Sequence, residues 1–318
     1  MGLAVDEGRG FIGGMGKVLA IRGGALGDFV LTLPALRLIS EGLPSAEVEV
    51  LGYRPMVELA ERAGVARRTR AMEHAGLAPF FAPGARLDPE WADWFSGFSV
   101  VFTWLYDPDD YFKMNLARCG VETVFQGIPR VEDSEGSPHA CLQLAEVCQG
   151  LALWLEDPVP RIPFVRERCA GVAVHPGSGS MRKNWPREHW REFVVELCGL
   201  LPEGERVAVF SGEAEESWID GLLEGWGSLP VDHVRHPALG DLAASLAGSR
   251  LFVGHDSGVT HLAAACGVPT VTLFGPTNPG VWAPPQEHVK VLRGAKGDLT
   301  KLPLAEVLAA VRRMLTGS

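Results

Sequence analysis

Short β-branched runs alternate with helix-length segments twice along this 318-residue chain, and that alternation constrains the fold more than any other feature. From Lys17 the order is "KVLAI", a helix from Asp28 to about Ile39, "EVEVL", a helix around Pro55 to Ala63, "FSVVFTW", and a long helix near Ser137 to Leu155. The Pro-rich "EDPVPRIPF" interrupts the series, so residues 156–165 read as a linker. The pattern then restarts with "GVAVH", a helix from Pro186 to Leu200, "RVAVFS" and a helix from about Ala214 to Glu224. It continues with "LFVGH", a helix from about Ser257 to Cys266, "TVTLF", and a closing helix from Leu304 to Leu315. Strands joined through helices run parallel, and short, continuously apolar strands belong inside a sheet covered on both faces. The expected fold class is α/β, with an open parallel sheet in each half. Ligands of such sheets bind at the carboxyl ends of the strands, so two facing halves make a cleft between them.

Composition narrows the function classes. With 47% hydrophobic and 21% charged residues the chain matches an ordinary globular protein, which excludes disordered and collagen-like readings. A formal net charge of -10 offers no general attraction to nucleic acid or to an anionic membrane surface. Its six cysteines form no C-x-x-C pair or zinc-ligand spacing and read as mostly buried thiols in a reducing compartment, with the cytoplasm as the expected location. The opening "MGLAVDEGRGFIGGMG" lacks the basic start and apolar core of a secretion signal and reads as a loose extension over residues 1–16. No run approaches the roughly 20 apolar residues of a membrane span, so any membrane contact is expected to be peripheral.

Three loops that follow strands carry the polar chemistry. In "IRGGALGDFVLTLPAL", Gly23, Gly24 and Gly27 precede Asp28, but the spacing is not G-x-G-x-x-G, and "GMG" lies before the strand rather than after it. A nicotinamide dinucleotide fold is thereby disfavoured. By spacing alone Asp28 reads first as a helix cap and second as a catalytic base. In "HPGSGSMRKNWPREHW", Gly177, Ser178, Gly179 and Ser180 precede Arg182 and Lys183, with Pro186 expected at the first helical position. Small residues let backbone N–H groups approach a phosphate and Lys183 can supply a point charge; the structural alternative is a plain Gly/Ser surface loop. In "VGHDSGVTHLAAACGVPTVTLFGPTNP", Asp256, Ser257, Thr260 and His261 gather at a helix N-terminus, whose unpaired N–H groups and partial positive charge can hold an anion. The acidic residues of "FSGEAEESW", Glu213, Glu215 and Glu216, can accept hydrogen bonds from a ribose or simply favour a first helical turn. The Trp-rich "WADWFSGFSVVFTW" reads as core and covering helix, and "RRTR" (Arg67 to Arg70) as a solvated loop.

Taken together, in order and spacing, these three loops resemble the signature segments of glycosyltransferase family 9, the ADP-heptose:lipopolysaccharide heptosyltransferases. The resemblance runs from Lys17 to about Trp282 and is weakest between Pro44 and Pro160, where an acceptor would be recognised. It implies a GT-B architecture, two Rossmann-like domains facing across a cleft, with residues 17–160 binding the acceptor and residues 161–318 the donor. It also implies inverting transfer of a heptose or related sugar from an ADP-sugar to a lipopolysaccharide core or other glycan. By motif position Asp28 becomes the general base, which reverses the order that spacing gave. Ser178, Gly179 and Lys183 become phosphate contacts, while Asp256, Ser257, Gly258 and His261 line the donor diphosphate and sugar. Glu216 is matched to the adenosine ribose, and Arg22 is a candidate contact for an anionic acceptor. Asp256 beside a diphosphate would repel it, so its carboxylate is expected to face backbone N–H groups or sugar hydroxyls.

No cofactor beyond the nucleotide sugar and no metal are expected. "DPDD" (Asp107 to Asp110) contains a D-x-D, but it lies far in sequence from the donor loops. His255 stands where asparagine is common in relatives, and "GGALGD" lacks the bulkier or hydroxyl residue many of them carry. Two alternatives share the implied architecture: a nucleotide-sugar epimerase, and a non-catalytic nucleotide-sugar binding protein.

Overall fold

The computed structural model describes residues 16–164 and 171–317. The expected extension, apart from Gly16, the last linker residue and Cys169 lie outside the described residues. The first half runs β1 (Lys17–Arg22), α1 (Leu26–Gly42), β2 (Glu47–Gly52), α2 (Arg54–Arg62), β3 (Arg68–Ala71), α3 (Pro89–Ser96), β4 (Phe98–Thr103), α4 (Tyr111–Arg118), β5 (Thr123–Gln126) and α5 (Ala140–Ala145). The second runs β6 (Gly171–His175), α6 (Arg187–Leu200), β7 (Arg206–Ser211), α7 (Ile219–Leu223), β8 (Val231–Arg235), α8 (Leu239–Gly248), β9 (Leu251–His255), α9 (Gly258–Ala265), β10 (Thr270–Phe274), α10 (Pro279–Trp282), β11 (Val289–Arg293) and α11 (Leu304–Thr316).

Every pairing in both sheets is parallel, as the helical crossovers require. The strand orders are β3-β2-β1-β4-β5 and β11-β10-β9-β6-β7-β8. Each order reverses direction once, between β1 and β4 in the first sheet and between β6 and β9 in the second. Connections leaving neighbouring strands at such a point diverge to opposite faces and leave a crevice at the carboxyl edge. The loops after β1, β6 and β9 are the three that carry the polar motifs.

The halves meet through α1 and α9. Phe29 to Leu36 and Ile39 of α1 are buried, an apolar surface too wide for one contact face. A helix apolar all round must be covered all round, and α1 packs on α9 and α5 as well as on its own sheet. The Ala263-Ala264-Ala265 run of α9 is buried at this junction, where small side chains permit close helix approach. One hydrophobic cluster therefore runs from Val18 and Phe29 through to Leu262 and Ala263.

Several expectations are corrected. "RRTR" is not a loop, since Arg68–Ala71 forms an edge strand paired with β2. Its side chains carry no apolar signal because Arg68 pairs with Glu47 and Arg70 stacks on Trp91 and Trp94. The long helix expected from Ser137 shortens to α5 and tightens into 3-10 turns over Glu146–Leu151. A Cβ on Gly150 would sit 2.3 Å from the Phe125 ring, so this segment lies directly on β5, and Ala152 ends it at positive φ. The helix expected from Ala214 breaks at Trp218, whose φ of -141° is not helical. Pro186 is the N-cap of α6 rather than its first residue. Strands β5, β8 and β11 and helices α8 and α10 complete a pattern that the apolar runs alone did not mark.

Candidate active site

The loop after β1 turns at Gly24, whose φ of +101° is open to glycine at little cost. Ala25 is the N-cap of α1 and makes no side-chain cap, which puts Asp28 in the third helical position with its side chain 37% exposed. Asp28 is therefore not the cap that spacing suggested. Arg22 lies behind it, Nη2 to Oδ1 3.9 Å, and is itself only 4% exposed. An acceptor contact expects a reachable guanidinium, so the structure does not support that reading of Arg22.

After β9, Ser257 is the N-cap of α9 and likewise makes no side-chain cap to the helix. Its hydroxyl lies 3.3 Å from Thr260 Oγ1, and Thr260 in turn donates to the His255 carbonyl. The first-turn N–H groups of α9 thus lack a protein cap, and the N-terminus of α1 lies against them. A Cβ built on Gly258 would lie 2.9 Å from Gly27 N and 2.9 Å from Leu26 Cβ, so only glycine lets the two helix ends touch. Gly258→Ala gains up to about 1 kcal/mol of helix propensity but must push two backbones apart, an overpacking cost of about 1–3 kcal/mol. The clash is with Gly27 N and Leu26 Cβ, which no side-chain rotation moves, so the cost should win. A melting temperature at or above that of the parent protein would show that the helix ends separate freely.

The loop after β6 is held from below. A Cβ on Gly177 would sit 1.8 Å from Glu215 Oε1, and Glu215 is buried, accepting from Gly212 N at 2.8 Å and lying 3.6 Å from His175 Nε2. His255 fastens the other side: Nε2 accepts from Trp185 N at 2.8 Å and from Trp190 Nε1 at 3.3 Å, and Nδ1 donates to Gly177 O at 3.1 Å. Burial pushes the His255 pKa down to about 3, so the ring is neutral, as this one-donor pattern requires. The imidazole is a buckle between β9 and the loop after β6, a role its place in "VGHDSG" did not reveal. Ser178 is buried within the loop, its hydroxyl between Ser180 and Asn184, so it shapes the backbone.

Lys183 Nζ donates to Asp256 Oδ2 at 2.7 Å, and Thr277 Oγ1 donates to the same oxygen at 2.7 Å. The Asp256 carboxylate is thus turned to a lysine and a threonine, not to the backbone N–H groups or sugar hydroxyls expected. Its repulsion for an incoming anion is offset by Lys183 at contact distance. His261 Nε2 is 3.9 Å from Asp256 Oδ1, and burial pushes the His261 pKa down to about 4, so the ring is uncharged at neutral pH.

These groups line one cavity of about 370 Å³, bounded by Asp28 and Leu31 of α1, Asp133, Gly179, Ser180 and Lys183, Asp256 to Gly258, His261, Thr277 and Trp282. Seven of the ten residues selected from sequence, Asp28, Gly179, Lys183, Asp256, Ser257, Gly258 and His261, face it. Glu216 is not brought there: it is 59% exposed and pairs with His236 Nε2 at 2.8 Å. Asp133, Ser180, Thr277 and Trp282 were not anticipated; the turn "GPTNP" was the available signal for Thr277, since it follows β10 at the same sheet edge. A larger cavity of about 800 Å³ lies towards the other ends of α1 and α9, lined by Arg37, Ile162, Phe164, Cys266 and His288 among others, and it contains none of the motif loops.

Residues 159–306 match the model of glycosyltransferase family 9 (heptosyltransferase). Over that stretch the chain is similar to glycosyltransferase family 9. Lipopolysaccharide heptosyltransferase 1 of Pseudomonas aeruginosa is 38% identical over 126 residues, which are 40% of this chain and 32% of that protein. The matched segments thus span only about a third of the curated relatives' length. Among solved structures, a family 9 glycosyl transferase from Veillonella parvula superposes with a TM-score of 0.76 at 17% identity, covering 95% of this chain and 98% of that one. The E. coli heptosyltransferase WaaC, solved with ADP, gives 0.70 at 19% identity over 94% of this chain and 99% of its own. At these identities the structures establish the fold alone, the GT-B architecture of two parallel-sheet α/β domains.

Proposed function

We propose that this protein is an inverting glycosyltransferase of family 9 that moves a heptose or related sugar from an ADP-sugar to a lipopolysaccharide core or similar glycan. One observation carries the reading: a single cavity joins the Asp28 carboxylate from the first half to Lys183, Gly179 and the uncapped N-terminus of α9 from the second. The names of the P. aeruginosa relative and of the ADP-bound E. coli structure support the sugar and the nucleotide.

In this mechanism residues 17–160 present the acceptor and residues 161–318 the donor. Asp28 takes the proton of the acceptor hydroxyl as its oxygen bonds to the anomeric carbon from the face opposite the diphosphate. The bond from that carbon to the diphosphate oxygen breaks, its electron pair leaving with ADP. The growing charge is met by Lys183 and the α9 N–H groups, which are fixed before the reaction begins. Lysine and helix dipole supply what a metal would, so turnover is proposed to be metal-independent and to need no cofactor. Among the described residues no helix is long and apolar enough to cross a membrane, and contact with a membrane-held acceptor is proposed to be peripheral.

Calorimetry with ADP, UDP, GDP and CMP, each with magnesium and with chelator, tests the reading. ADP is expected to bind best and to lose nothing in chelator. A preference for UDP would reassign the donor and favour an epimerase, and strict dependence on magnesium would overturn the metal-free account.

A further inference from the structure

The two halves contribute charge to the cavity unequally. Its lysine, Lys183, comes from the second half and is engaged with Asp256. The charged side chains that line it from the first half are Asp28 and Asp133, and among the described residues no lysine, arginine or histidine of that half joins them. Arg22 is buried behind Asp28, and Arg130, on the same loop as Asp133, does not line the cavity. The neighbouring loop has the same character: residues 104–110, between β4 and α4, carry Asp107, Asp109 and Asp110 with no lysine or arginine. That loop abuts the turn after β1, since a Cβ on Gly23 would lie 3.4 Å from Leu105 Cδ2. Tyr106, the next residue, is 75% exposed.

The backbone that carries Asp133 is held on both sides. The buried Gln143 side chain accepts from Glu132 N at 2.9 Å and donates to Glu132 O at 2.9 Å. Beyond Asp133, Ser134 O accepts from Asn278 Nδ2 of the second half at 3.4 Å, and His139 donates through Nε2 to Ala283 O at 2.8 Å. The segment is thereby fastened to the half that supplies the donor loops. The Asp133 carboxylate itself has no hydrogen-bond or ion-pair partner among the described residues. A carboxylate accepts hydrogen bonds and donates none, so in this place it can take hydroxyl donors from a ligand and repels a phosphate or carboxylate.

We propose that Asp133 is a specificity-determining residue of the acceptor side, which selects a neutral, polyhydroxylated sugar and turns away a phosphorylated or acidic one. This rests on the reading of the Asp28 end of the cavity as the place where the acceptor binds. Asp133 accepts from a hydroxyl of the acceptor ring beside the attacking one, and the exposed Tyr106 ring offers a flat apolar face to the C–H groups of the same glycan. An anionic group on that ring would meet two carboxylates, Asp28 and Asp133, and no cation of the first half. Within a lipopolysaccharide core the class that fits is a neutral hexose or heptose terminus.

The test titrates the methyl glycosides of heptose, mannose, galactose and glucose, each beside its phosphate monoester, into the protein, with binding followed by its NMR chemical shifts. The protein is saturated with ADP so that the esters do not enter the diphosphate site. At least one neutral glycoside is expected to bind, and its phosphate ester to bind about tenfold more weakly, the size of a unit-charge repulsion at a protein surface. In Asp133→Asn the gap should shrink to about threefold or less, because the amide oxygen still accepts the hydroxyl while the charge is gone. Asp133→Lys should invert the preference. Both variants should melt with the parent protein, since Asp133 has no protein partner to lose. Esters that bind as well as the neutral glycosides, a gap unchanged in Asp133→Asn, or no binding by any neutral glycoside would overturn the proposal. The titration needs no turnover, so the two readings fail separately. Transfer persisting in Asp28→Asn removes the base and leaves the charge preference in place, whereas an unchanged gap in Asp133→Asn removes the selector and leaves the transferase.

Discussion

Asp28→Asn is expected to lower sugar transfer by about 10²–10⁴-fold, the usual worth of a positioned general base, while ADP binds as in the parent protein. Asparagine has nearly the same shape and leaves the Gly24 turn and the α1–α9 contact in place, but its amide cannot take a proton. Residual transfer then depends on the donor side alone, where the leaving diphosphate is still stabilised. The measurement is kcat/KM for transfer beside a calorimetric Kd for ADP. Unchanged transfer would remove Asp28 from the chemistry, and a large loss of ADP affinity would mean that the variant disturbs the α9 end rather than proton transfer.

Lys183→Ala has the second largest expected effect. Its ammonium is held 2.7 Å from Asp256, and a diphosphate arriving at the α9 N-terminus would share it. Loss of one charge-assisted bond of about 1.5–3 kcal/mol should weaken ADP binding by roughly 10- to 100-fold. The variant also strands the Asp256 carboxylate, 6% exposed, with Thr277 as its remaining close donor, so thermal stability should fall as well. The two effects separate in Lys183→Ala/Asp256→Asn, where neutralising the partner should recover stability without recovering affinity. An unaltered ADP affinity in Lys183→Ala would show that the lysine serves only Asp256.

What the sequence made legible follows from where its physical signals are strong. Buried parallel strands such as Leu251–His255 and Thr270–Phe274 are continuous apolar runs, and the loops after them were found because strand ends are easy to place. Edge strands were missed for the opposite reason. Arg68–Ala71 and Val231–Arg235 are half-solvated and polar, and only the neighbouring strand makes them strands. At the site, Lys183 and Asp256 were both selected, yet their contact spans 73 positions and no local pattern predicts it. Glu216 and Glu215 illustrate the limit further: adjacent acids at a strand end, one locked inward beside Gly177 and the other outside with His236. Arg22 looked like a surface cation because sequence does not show that its strand end is covered.

The contact at Gly27 and Gly258 has a mechanical consequence. Because α1 and α9 share one buried cluster, the halves cannot open like a book without exposing Leu262 and the apolar face of α1 to water. Rocking about this pivot is the relative motion of the sheets that keeps the cluster buried. The groups proposed to react lie beside the pivot, where rotation produces the least displacement. Asp28 and the α9 N-terminus would then keep a near-fixed separation, while groups farther from this contact, such as Glu216 and His236, would move through a larger arc.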